Sequence, residues 1–104
     1  MLGRGELLDK AKELIIGDRD QEYGNAFTNF DDIAKGWSVI FREEVTREQV
    51  ALCMAWVKMA RLVKNPEHED SWIDIAGYSA LGGELSSMDV GMKLAYSRQS
   101  VKDA

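Results

Sequence analysis

Residues Thr46–Leu85 read TREQVALCMAWVKMARLVKNPEHEDSWIDIAGYSALGGEL, two long apolar segments joined by a polar turn at Asn65-Pro66-Glu67-His68. From Val50 to Val63 the only charges are Lys58 and Arg61, three apart and so on neighbouring positions of one helical face. From Trp72 to Leu81 the only charge is Asp74, with Asp70 one turn before it and Tyr78 one turn after. The spacing predicts two helices folded into an antiparallel hairpin about Pro66, in which residues at equal distances from the turn meet. Lys58 then faces Asp74, and Arg61 faces Asp70. Charges inside apolar helices are tolerated when they are paired or serve a ligand, so this ladder carries the question of function.

Outward from the hairpin, the pattern stays helical. Thr46 and Gln49 have the spacing of a capping box, which starts a helix over Arg47–Val63 that must stop before Pro66. Acidic residues then open a helix over Glu69–Leu85, with Asp70 or Ser71 as its cap. Gly77 within it implies close approach of a neighbour, and Gly82-Gly83 a kink or an end. Upstream, Leu7, Leu8, Ala11, Leu14 and Ile15 recur at helical spacing over Glu6–Ile16, with Glu6, Asp9 and Glu13 on a solvated face. The loop GDRDQEYGN, residues 17–25, presents Arg19 and Tyr23 either to a ligand or, for the tyrosine, to the core. A helix over Thr28–Ile40 follows, capped by Thr28 or Asn29, with Asp31 and Asp32 in its first turn and Phe30, Ile33, Ala34, Trp37, Ile40 and Phe41 as its apolar stripe. The last residues, 86–104, are weakly patterned and read as a short helix or a frayed arm. The expected fold is all-α: a single four-helix bundle-like domain over 1–104, with its core in 6–85 and a weakly ordered C-terminal segment.

Composition narrows the function classes. A net charge of -5 argues against a general nucleic-acid surface or an anionic membrane surface. Lys58 and Arg61 interrupt the best candidate for a membrane span. One cysteine, Cys53, excludes a disulfide framework and reads as a core thiol. With no signal-peptide pattern at the start, a cytoplasmic location is expected, in the host cell if the chain is phage-encoded. His68 lacks a second histidine or cysteine at metal-ligand spacing, and Cys53 lacks a paired base, so neither zinc chemistry nor nucleophilic catalysis is indicated. Trp56 and Met59, on the flanks of their helix away from Lys58, are candidates for a homo-oligomer interface.

What remains is a mixed set: Arg19, Tyr23, Lys58, Arg61, Asp70, Asp74 and Tyr78. The cations suit a phosphate or carboxylate, and Asp70 and Asp74, one turn apart, suit magnesium, which takes one or two carboxylates plus phosphate oxygens. RDQEYGN, NFDDIAKGW, KMAR and EDSWIDIAGYSAL resemble a small all-helical domain family of unknown function found mainly in bacteriophages and prophages. The likeness runs from about Leu8 to Leu85 on the pattern R-x-x-x-Y-G, K-x-x-R, D-S-x-x-D-x-x-G-Y. More distantly, the arrangement is similar to the all-α nucleotide pyrophosphohydrolases of the MazG type, in which an acidic helix pair binds magnesium and cleaves nucleoside triphosphates between the α and β phosphates. That pattern sets E-E-x-x-E against E-x-x-D. Here Lys58 and Arg61 occupy the facing helix, and Asp70 and Asp74 are spaced one residue further apart.

Two functions are compatible with the set. One is binding of a phosphorylated small molecule such as a nucleotide at Arg19, Tyr23, Lys58, Arg61, Asp70, Asp74 and Tyr78, with or without magnesium-dependent pyrophosphohydrolysis at Asp70 and Asp74. The other is a non-enzymatic structural or interaction protein whose Lys/Arg–Asp ladder only holds the fold together.

Overall fold

The computed structural model describes residues 2–17 and 26–88. Every described element is a helix: α1 Arg4–Ile16, α2 Ala26–Phe41, α3 Arg47–Lys64 and α4 Glu69–Ser87. The loop with Arg19 and Tyr23, and the tail from residue 89, lie outside the described residues.

The hairpin of α3 and α4 is the most extensive helix contact, and its register follows from the turn. Lys58 and Asp74, equally far from Pro66, meet at 3.1 Å. A Cβ built on Gly82 would lie 3.1 Å from the Ala51 Cβ, again at nearly matched distances from Pro66. Both pairings require antiparallel helices. At the start of α3, Thr46 Oγ1 accepts from the Gln49 amide while Gln49 Oε1 accepts from the Thr46 amide, so the capping box satisfies two otherwise unpaired donors. The turn is tied by the Asn65 side chain, which accepts from the Glu67 amide, and by the Trp72 indole N–H, which donates to the Pro66 carbonyl at 2.9 Å.

The N-cap of α4 is His68, not Asp70 or Ser71. Asn65 takes up the His68 amide in the turn, which begins the helix two residues earlier than a capping aspartate would. Ser71 is fully buried with its hydroxyl against His68 Nδ1 at 2.7 Å. Gly82-Gly83 does not end α4, which runs on to Ser87. Gly82 instead admits Ala51, and Gly77 admits α1, where an added Cβ would come within 3.2 Å of Ile15 Cγ2.

α2 begins at Ala26, so Thr28 and Asn29 are inside the helix rather than caps, and Asp31 and Asp32 fall beyond its first turn. Burial of Phe27 together with Phe30 explains the earlier start, since one turn of helix is needed to bring both rings into the core. Asp31 is itself buried and lies 2.9 Å from Lys35. The chain leaves α2 through Arg42, whose φ of 53° is left-handed, and Ser38 latches the connection by accepting from the Val45 amide at 2.8 Å.

The core is formed by Phe27, Phe30 and Ala34 of α2, Val50 and Ala51 of α3 and Leu85 of α4, with Trp37, Met54, Tyr78 and Leu81 packed around them. α1 lies across the other side of α4. The Leu2 amide donates to Glu69 Oε1 and Ile15 reaches Gly77, so α1 and α4 run in the same sense. Cys53 is exposed rather than a core thiol, because it sits on the side of α3 turned away from Ala51, Lys58 and Leu62.

Candidate functional site

Between the second half of α1 and the first half of α4 lies a cleft of about 750 Å³. Its walls are Lys10, Glu13, Leu14 and Gly17 of α1 and its C-cap, and Asp70, Ile73 and Asp74 of α4. The α1 residues recur at intervals of three, one and three, which is one helical face; Ile73 and Leu14 give the floor an apolar component. The size is in the range of small-molecule clefts. Asp70 is exposed at the first turn of α4, whereas Asp74 sits deeper.

Asp74 is the point where the cleft meets the hairpin. Its side chain is 22% exposed and its Oδ2 lies 3.1 Å from Lys58 Nζ, whose side chain is 14% exposed. The expected pair is therefore present and mostly removed from solvent. The second expected pair is not: Arg61 and Asp70 are both exposed and make no ion pair with each other. At that height α3 packs through Leu62 and α4 through Ser71, both buried, and these neighbours hold the inward positions that the two charges would need. Asp70 consequently turns to the α1 side, and Arg61 is left on the outside. Tyr78 is likewise not at the cleft wall; its ring stacks on Phe30, with centroids 6.1 Å apart and planes 29° from parallel.

Of the residues expected in a binding site, the structure thus brings Asp70 and Asp74 to one cleft with Lys58 behind, and separates Arg61 and Tyr78 from it. Arg19 and Tyr23 lie outside the described residues. Sequence reasoning missed Lys10 and Glu13, treating the polar face of α1 as solvated. The signal was available in the 10–13–14–17 spacing, but only the packing of α1 on α4 decides which polar face meets a neighbour. A second cavity, about 630 Å³, was not anticipated either; it lies between α2 and the start of α3 and is lined by Asp31, Lys35, Ser38 and Arg47 among others. Arg47 is buried there and its Nη1 has no hydrogen-bond partner.

Residues 6–86 match the family described as Domain of unknown function (DUF6378). The chain belongs to this family. The match spans α1 to the last turn of α4, so the cleft and the hairpin both lie within the DUF6378 unit. Two Gene 55 proteins are similar to it: that of Mycobacterium phage L5, 42% identical over 76 residues, and that of Mycobacterium phage D29, 38% identical over 73 residues. These alignments cover 72% and 70% of this chain and 49% and 48% of the phage proteins. The DUF6378 chain therefore spans about half the length of the curated relatives it matches. No solved structure matches it. The expected phage-type domain of unknown function is what the family and its relatives show, while the MazG-type likeness rests on the residue pattern alone. Among the described residues, no helix is long and apolar enough to cross a membrane.

Proposed function

We propose that this DUF6378 domain binds a phosphorylated small molecule, a nucleotide in the first instance, in the cleft between α1 and α4. The observation that carries the reading is the cleft itself, which brings Lys10 of α1 to the same space as two carboxylates, Asp70 and Asp74, one turn apart on α4. Lys10 supplies a cation for phosphate, and the amides opening α4 add the positive end of a helix dipole. Arg19 and Tyr23 follow Gly17 of the cleft wall by two and six residues, close enough along the chain to add a second cation and a ring for base stacking.

Asp70 and Asp74 would hold magnesium only as an ion shared with the ligand. Among the described residues no group of three or more His, Cys, Asp or Glu is arranged around a common point, and one Asp74 oxygen is already engaged by Lys58. Two carboxylates with waters and phosphate oxygens nevertheless suit this cation. Its chemistry there is neutralisation of phosphate charge. Pyrophosphohydrolysis of the MazG type is the finer part of the reading, and it is tested apart from binding.

Thermal denaturation with a nucleotide panel, with and without magnesium, tests the proposal. Ligand at a hundredfold excess over Kd stabilises by about 2.7 kcal/mol, a rise of several degrees for a domain of this size. The rise should be lost in Lys10→Ala and should lose its magnesium dependence in Asp70→Asn. No shift with any nucleotide or with pyrophosphate would leave the structural reading, which the Lys58–Asp74 pair favours by itself. Pyrophosphate release measures turnover separately.

A further inference from the structure

We propose that the cavity between α2 and the start of α3 takes the carboxylate of a small apolar acid, held by the Arg47 guanidinium. The cavity measures about 630 Å³ and shares no lining residue with the α1–α4 cleft, so the proposal does not rest on nucleotide binding there. Arg47 lines it at 7% exposure, and its Nη1 has no hydrogen-bond partner. Among the described residues Arg47 makes no ion pair; Asp31 is paired with Lys35, and Asp74 with Lys58. A guanidinium taken out of water without a counter-charge is costly, and native folds pair such groups. An anion from outside the chain supplies the partner that the fold withholds.

The hydroxyls of the cavity wall are already engaged. Ser38 Oγ donates to the Ala34 carbonyl at 2.7 Å and accepts from the Val45 amide, and Thr46 Oγ1 accepts from the Gln49 amide. The backbone amide of Arg47, the first residue of α3, has no acceptor within its helix and adds a donor at the positive end of the helix dipole. The planar fork of N–H groups on the same residue matches a carboxylate. Charge decides between carboxylate and phosphate. Lys35 is held by Asp31, and Glu44 and Glu48 also line the cavity, so one positive side chain remains for the ligand and a second negative charge on it would meet carboxylates. Ala34, Val39 and Val45 give the wall against which the apolar part of the acid packs.

Titration of the full 104-residue chain with isobutyrate and with benzoate, followed by amide nuclear magnetic resonance at constant ionic strength, tests this. Saturable shifts are expected at Val45, Thr46, Arg47 and Glu48 and not at Lys10, Asp70 or Asp74, with inorganic phosphate binding more weakly. Arg47→Met should abolish the shifts and keep the helical circular dichroism. Without ligand it should melt no lower than the wild type, because it removes a buried charge that has no partner. Glu44→Gln, a change at an exposed residue of the wall, should tighten binding about twofold by removing a like charge. A wild-type chain without saturable shifts overturns the proposal, and so do shifts that persist in Arg47→Met. An Arg47→Met chain that fails to fold overturns it as well, since the guanidinium is then satisfied within the chain. Phosphate binding at the same amides as tightly as isobutyrate overturns the choice of a singly charged ligand.

Discussion

The two faces of α3 invert the usual distribution. The inner face carries Arg47 and Lys58 among its packed residues, while the outer face carries Leu52, Trp56, Met59 and Val63 in the open. Apolar content is therefore a poor guide to which side of this helix is the core side. What places the inner face is the set of partners available on α4: a carboxylate at Asp74 for Lys58, and glycine at position 82 for close approach of Ala51. A cation can lie inward where its counter-charge comes from the facing helix, and a tryptophan stays outside where none of the described helices covers it.

Adjacent residues give the sharpest test of that contrast. Leu62 is 7% exposed and Val63 84%, although they are neighbours in sequence and of similar character. In urea unfolding at low protein concentration, Leu62→Ala should cost about 3 kcal/mol through lost burial and a residual cavity, while Val63→Ala should stay within about 0.5 kcal/mol. Equal losses would mean that the two faces are equally packed and the comparison fails.

The inner charge pair should show a smaller and non-additive effect. Lys58→Met leaves Asp74 half-buried without its cation and should cost about 2 kcal/mol, below the range for a fully buried pair because both side chains keep some exposure. Asp74→Leu should cost a similar amount by the reciprocal argument. The double variant replaces the pair by apolar contact and should recover most of the loss. A double-mutant cycle with no coupling would show that the two charges act independently despite the 3.1 Å separation.

The smallest effect distinguishes two adjacent glycines of α4. An added Cβ at Gly83 meets nothing within 4 Å, so Gly83→Ala should stabilise the domain through helix propensity by up to about 1 kcal/mol, read as a rise in melting temperature. At Gly82 the same methyl would come 3.1 Å from the Ala51 Cβ and must push α3 away, which cancels the gain. A Gly82→Ala variant as stable as Gly83→Ala would indicate a looser hairpin than the structure shows.

Local signals were enough for the hairpin and its start. Thr46 and Gln49 form a capping box wherever a helix begins there, Pro66 stops α3 by removing a donor and restricting the preceding residue, and the lengths on either side of Pro66 pair Lys58 with Asp74. These depend on covalent geometry and near neighbours, which the order of residues carries directly. Other assignments needed the assembled helices. Arg61 and Asp70 have nearly the same spacing as Lys58 and Asp74, yet they part because Leu62 and Ser71 occupy the packed positions at the end of the hairpin. Cys53 is apolar enough for a core but faces outward, Tyr78 is spent on Phe30, and Lys10 and Glu13 become cleft walls only because α1 crosses α4 at Ile15 and Gly77. Sequence determined which segments are helical and which two pair; only the tertiary packing decided which face of each helix is inside, because burial is a competition among all neighbouring side chains for the same space.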